Sequence, residues 1–253
     1  MANEAYISSR KNLKLIDANM LSIIAIVLMV VDHLWATIVP GNQWMTWVGR
    51  MAFPIFAFQI TEGYIHTSNF RKYALRLFLF GLISEIPFNY FYASSIFYPY
   101  HQNVMFTLLL GLLAINIIDK MRRKSNFKNI LLWSAGVVGI CLLATISFVD
   151  YGAMGVLTIV SFYLFRDFSW AWVGQFISLF MLNNVFYTGM YIPIQIFGYA
   201  LEFQTQGFAI FALVPIWLYN GKKGSNNQIL KYGFYAFYPA HLYILYLLVR
   251  FTG

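Results

Sequence analysis

The sequence predicts an all-α, polytopic transmembrane helix bundle of about nine spans. Three observations carry that prediction: a composition too apolar for water, apolar runs long enough to cross a bilayer, and Lys and Arg gathered in the breaks between the runs. Of the 253 residues, 60% are hydrophobic and 10% charged, against about 45–50% and 25% in soluble domains. A water-soluble fold of this composition would lack the polar surface to cover itself. In hydrocarbon every backbone group must be satisfied within the protein, which leaves helix bundles or closed barrels. The runs are continuous instead of alternating with period two, so helices are expected.

A helix crosses the hydrocarbon core with about 20 apolar residues. The first run, 20–39, ends at Pro40 and Gly41. It is longer than a signal-peptide core and no small-residue cleavage pattern follows it, so it is expected to stay in the mature protein. Runs 44–65, 73–93 and 104–119 follow, the third span carrying Pro87. Run 129–148 holds the single cysteine, Cys141, which excludes an intrachain disulfide and a cysteine-based zinc cluster. Run 151–165 is short, and 168–186 is of ordinary length. Run 191–219 is long and interrupted by Glu202, Gln204, Thr205, Gln206 and Gly207, which reads as a broken or re-entrant helix lining a cavity. The last run is 231–252. The whole of 1–253 therefore reads as a single integral membrane domain, with 1–19 a short basic N-terminal segment.

The formal charge of +8 sits in loops. Arg10, Lys11 and Lys14 precede the first span, Arg71 and Lys72 follow the second, and Lys120, Arg122, Arg123, Lys124 and Lys128 follow the fourth. Lys222, Lys223 and Lys231 precede the last. This alternation is the positive-inside pattern and predicts a cytoplasmic N-terminus. It accounts for the basic excess without a nucleic-acid partner. The 120–128 loop has a second reading, as a contact for acidic lipid or for a ligand's phosphates.

Charged groups inside a bilayer cost at least about 2.5–3.5 kcal/mol each, so they need a partner or a function. The spans contain Asp32, His33, Arg50, Glu62, Arg76, Glu85, Glu202 and His241. His33 and Arg50 lie about eight residues either side of the first turn, roughly 12 Å deep at 1.5 Å per residue. Asp32, His33 and Arg50 are expected to share one polar layer there. The same count around Asn69 places Glu62 level with Arg76, as an expected ion pair. Glu85, Pro87, Asn89, His101, Asn103 and Thr107 suggest a wet pocket in the outer half. His241, flanked by Tyr235, Tyr238 and Pro239, falls near the midplane.

Histidine accepts and returns a proton near neutral pH, which makes His33 a candidate base. Asp32 is adjacent in sequence but points about 100° away on a helix, so Glu85 or another pocket group could orient the ring instead. The structural alternatives are a buried histidine bonded to a carbonyl and an Asp32–Arg50 pair that locks two helices. His241 could carry a second proton, bind a substrate carbonyl, or bond Tyr238. Gly49 with Ala52, and Gly111 with Ala114, read as close helix packing. Walker, GxSxG and HExxH motifs are absent, which removes support for nucleotide hydrolysis, serine hydrolysis and zinc proteolysis.

Five blocks taken together are specific: VVDHL at 30–34, VGRMAFPIFAFQITEGYIHT at 48–67, RLFLFGLISEIPFN at 76–89, NVMFTLLLGLLA at 103–114 and FYAFYPAHL at 234–242. They resemble the TraX family of membrane proteins, and more distantly the membrane acyltransferases. The resemblance implies a bacterial cytoplasmic-membrane acetyltransferase that draws on acetyl-CoA, the family being named for a conjugation protein that acetylates the N-terminus of F-type pilin. It carries over Asp32, His33, Arg50, Glu62, Glu85 and His241. On that footing His33, Asp32, Glu85 and His241 are the candidate catalytic set, and Arg50, Glu62, Asn103 and Tyr238 the candidate substrate contacts. Arg71, Lys72 and Arg76 are candidates for the phosphates of acetyl-CoA. No metal is expected, and the acceptor is open among a peptide, a glycan and a small molecule, as is the oligomeric state. A proton-coupled transporter and a structural component of a conjugation or secretion assembly are the alternative functions.

Overall fold

The computed structural model describes residues 15–122, 126–187, 189–196, 199–225 and 227–252. Arg10, Lys11, Lys14, Arg123 and Lys124, part of the expected charge pattern, lie outside the described residues. Helix α1 (Ala18–Thr37) starts where the Asp17 carboxylate accepts from the Met20 N–H at 2.9 Å, a side-chain cap for an otherwise unpaired donor. The expected second span is two helices, α2 (Trp44–Gly49) and α3 (Ala52–His66). Pro54 has no N–H to give the carbonyl of Arg50, so the helical ladder is interrupted at that point.

Helix α4 (Phe70–Ala93) is capped by Asn69 and runs through Pro87 without ending. It is followed by α5 (Val104–Arg122), α6 (Phe127–Ile146) and α7 (Gly152–Phe165). Helix α8 (Ala171–Phe180) passes into a wide turn of π-helix at Met181–Phe186. The region 191–219 differs from the expected interrupted helix. Strands β1 (Tyr191–Ile196) and β2 (Tyr199–Gln204) pair antiparallel from Tyr191 opposite Gln204 to Ile196 opposite Tyr199. A 3-10 segment (Thr205–Ala212) then leads into the short α9 (Leu213–Trp217). β-Branched Ile192, Ile194 and Ile196 around Pro193 suit extended chain and oppose helix, which hydropathy alone does not register. Helix α10 (Gln228–Thr252) closes the bundle.

Four helices among the described residues are long and apolar enough to cross a membrane: α1, α4, α5 and α6. Shorter apolar helices at 152–165, 171–186 and 205–217 pack beside them. Helix α10 lies against α4, α1 against α2 and α3, and α5 against α4, α6 and α7. The core is apolar, yet polar side chains are buried in it while many large apolar ones face outward. Thr61, Ser84, Asn103 and Thr107 are fully buried, while Leu75, Leu79, Leu82, Ile83 and Ile86 of α4 are exposed.

Two cavities that share Thr67 and Ser68 gather residues 18–22, 62–76, 163–167 and 219–235 at one end of the bundle. A short parallel bridge between Ile16 and Tyr219 ties that end together. Arg71, Lys72, Arg76, Arg166, Lys222, Lys223 and Lys231 fall within these stretches, and this end is therefore the basic end.

Candidate functional site

Helix α1 places Asp32 and His33 on different faces, and the two residues join different clusters. Toward α2, one guanidinium nitrogen of Arg50, Nη2, donates to both oxygens of Asp32 at 2.8 and 3.0 Å and to Thr46 Oγ1 at 2.7 Å. Nε of Arg50 also donates to Thr46 Oγ1 at 3.2 Å. The approach of the two helices depends on Gly49: a Cβ there would lie 2.3 Å from the Cβ of Asp32. The expected close packing at Gly49 is thus the device that lets the ion pair form. Gly111 serves α5 and α7 in the same way, its Cβ position being 2.2 Å from Ile159 Cδ1.

Toward α10, His33 Nδ1 and His241 Nε2 are 2.8 Å apart. The rings are parallel within 2° with centroids 5.1 Å apart; nitrogens this close exclude face stacking, so the rings lie edge to edge. His241 Nδ1 is 2.9 Å from the carbonyl oxygen of Phe237. A carbonyl only accepts, so His241 carries its hydrogen on Nδ1, and when neutral it offers a lone pair at Nε2. His33 must then donate from Nδ1. The network assigns the hydrogens from partner chemistry, and it leaves the His33 Nε2 lone pair without a hydrogen-bond partner among the described residues. Phe91 of α4 packs against the His33 ring at 5.1 Å, and Phe237 and Tyr238 flank His241.

The expected three-residue layer is therefore half realised. Asp32 meets Arg50, but the partner of His33 is His241 and neither Asp32 nor Glu85. Depth counted from a turn fixes height along a helix and leaves azimuth open. Glu85 instead anchors the start of α5: its Oε1 accepts from the N–H of Asn103 at 3.0 Å and from Asn103 Nδ2 at 2.8 Å. Asn103 is fully buried, also donates to the Gly81 carbonyl at 2.9 Å, and accepts from the Met105 N–H. Glu85 Oε2 is buried without a hydrogen-bond partner among the described residues. Tyr238, also buried, meets the backbone N–H of Val104 and lies in Coulombic reach of Glu85. It thereby links this group to the histidine pair.

The expected Glu62–Arg76 ion pair does not form. Glu62 Oε1 is 3.1 Å from Arg166 Nε, and Oε2 is 3.6 Å from His66 Nε2. The Arg76 guanidinium lies over the rings of Tyr73 and Tyr235 at 5.3 and 5.8 Å. Both residues line one cavity, from α3 and α4, but Arg166, the residue after α7, supplies the cation for Glu62. Arg71 and Lys72 are exposed on the first turn of α4.

Sequence reasoning passed over Thr46, Arg166 and the Phe237 carbonyl. Thr46 was legible as the residue four before Arg50, one helical turn away. Arg166, at the end of an apolar run, was legible as a cation at the depth of Glu62. The carbonyl carries no sequence signal.

The family model described as TraX protein matches residues 17–249. A probable fimbrial assembly protein FimC, serogroup H1, of Dichelobacter nodosus is 27% identical over 244 residues, covering 90% of this chain and 94% of that protein. Protein TraX of Escherichia coli is 28% identical over 146 residues, covering 56% of this chain and 54% of that protein. No solved structure matches.

Proposed function

The chain belongs to the TraX family, and from that premise we propose that it is a membrane acetyltransferase in which His33 acts as general base. The observation that carries the reading is the His33–His241 hydrogen bond with His241 Nδ1 held by the Phe237 carbonyl. It leaves His33 Nε2 free to take a proton. In the reaction, Nε2 removes the proton from an acceptor amine or hydroxyl as that atom attacks the thioester carbonyl of acetyl-CoA. The new N–C or O–C bond forms, the carbonyl electrons collapse back, and the C–S bond breaks. The proton passes from His33 to the departing sulfur, giving acetylated acceptor and free CoA thiol. As His33 becomes cationic, its Nδ1–H bond to His241 strengthens, because charge-assisted hydrogen bonds are roughly twice as strong as neutral ones.

His241 in this account is a positioning residue. Asp32 holds Arg50, while Glu85, Asn103 and Tyr238 build the wall beside the pair. The charge asymmetry supports the basic end as the cytoplasmic side, where acetyl-CoA is available and Arg71 and Lys72 would assist its encounter. A bacterial cytoplasmic membrane fits that orientation. The relatives named for fimbrial assembly and for TraX favour a peptide acceptor of the pilin kind. The test is acetyl transfer from labelled acetyl-CoA to a pilin-type peptide by purified protein, with and without His33→Ala. Transfer that disappears with His33 supports the reading; transfer at the wild-type rate without His33 ends it. Proton-coupled flux in vesicles without transfer would favour a transporter.

A further inference from the structure

A cavity of about 560 Å³ opens at the basic end among the first turns of α1 and α10 and the facing ends of α3 and α4. Its lining holds Arg76, Lys223 and Lys231. Lys231 is within Coulombic reach of the other two. None of the three pairs with a carboxylate among the described residues. The one acidic side chain in the lining, Glu62, is engaged by Arg166 and His66. Arg76 Nε is buried with no hydrogen-bond partner among the described residues, while the guanidinium face is covered by Tyr73 and Tyr235. Three cations facing one cavity repel one another, and a bound anion with several oxygens would relieve that repulsion and take the vacant N–H. Gln59 and Ser22 add polar atoms to the wall, and buried Leu77, Met105 and Leu108 make its inner part apolar.

We propose that this cavity is a phosphate-binding site. Resting on the acyl-transfer reading above, its ligand is the phosphate-bearing CoA half of the thioester donor. The phosphates sit at Arg76, Lys223 and Lys231, and the uncharged arm follows the apolar wall. From Tyr235 in the cavity to His241, α10 advances six residues, about 9 Å at 1.5 Å per residue. That is the distance the arm must bring its thioester to reach the histidine pair. The assignment also explains why Arg76 faces α10 and not Glu62: a guanidinium paired with a carboxylate would be less available to an anion.

The test uses the full chain in nanodiscs of zwitterionic lipid, with calorimetric titration of CoA and then of inorganic pyrophosphate. Wild type is expected to bind both, with affinity falling as salt rises. Lys223→Gln combined with Lys231→Gln should weaken binding at least tenfold. Arg76→Gln should do the same, and because Arg76 Nε is buried, the two lysine variants keep the test valid if it misfolds. His33→Ala should bind CoA as wild type does, so loss of transfer and loss of binding are separable. A parallel arm places phosphatidylglycerol in the nanodiscs. Lipid retained by wild type and lost by the lysine variants, with no CoA binding, supports a phosphate site while removing the donor assignment and, with it, the acyl-transfer reading. If CoA, pyrophosphate and anionic lipid all bind the lysine variants as they bind wild type, or none binds wild type, the proposal is overturned.

Discussion

Asp32 and His33 are consecutive residues, yet the cluster each joins is of a different kind. Asp32 sits in a closed ion pair: Arg50 donates to both its oxygens, the Thr46 hydroxyl accepts from Arg50, and Gly49 leaves room for Asp32. His33 sits in an open relay: one nitrogen is held by His241 and the other has no hydrogen-bond partner among the described residues. A closed pair stabilises packing and resists change, since removing one partner strands a buried charge. An open relay can gain and lose a proton without rearranging. The 100° step between neighbours on one helix thus separates a structural lock from a reactive group, and this contrast makes distinct predictions.

The largest effect is expected at the open side. His33→Ala should lower acetyl transfer by about 10²–10⁴ while leaving thermal unfolding in detergent nearly unchanged. The closed side should show the reverse. Asp32→Ala leaves Arg50 without its carboxylate, a change that costs about 3–5 kcal/mol for a fully buried pair and less for this one, whose side chains are 18% and 19% exposed. It should appear as lost folded yield on size-exclusion chromatography, with Asp32→Asn plus Arg50→Gln recovering part of it. If Asp32→Ala folds normally and only activity falls, the division between lock and relay is wrong.

His241 lies between these extremes. A hydrogen bond to a charged group contributes about 1.5–3 kcal/mol, so His241→Ala should slow transfer about ten- to a hundredfold without abolishing it. His241→Gln, whose amide oxygen can accept from His33 Nδ1, should restore part of the rate; no restoration would argue against positioning. Least is expected from Gly49→Ala. Its Cβ would crowd Asp32, and overpacking of this kind costs about 1–3 kcal/mol, read as a lower unfolding temperature with little change in rate per folded molecule.

Much of this is legible in the sequence. Apolar runs and basic breaks located the helices to within a few residues, because span length follows from bilayer thickness. The pair Asp32–Arg50 was legible because Asp32 lies one residue beyond the position, His33, that counts equally with Arg50 from the first turn. His33–His241 was not, since 208 residues separate them and no local pattern records that α10 packs against α1. Glu62–Arg76 failed for the related reason that equal depth does not mean facing sides. The hairpin at 191–204 escaped because hydropathy does not distinguish an apolar strand from an apolar helix. Pro193 among β-branched residues was the available signal.

The central claim is the hydrogen placement in the histidine pair, and nitrogen NMR of histidine-labelled protein in nanodiscs at neutral pH reads it directly. The account predicts that His33 and His241 both carry hydrogen on Nδ1 with Nε2 bare, the His33 signals being assigned by their loss in His33→Ala. His33 found with its hydrogen on Nε2 would contradict it, because that nitrogen could not then accept the acceptor's proton.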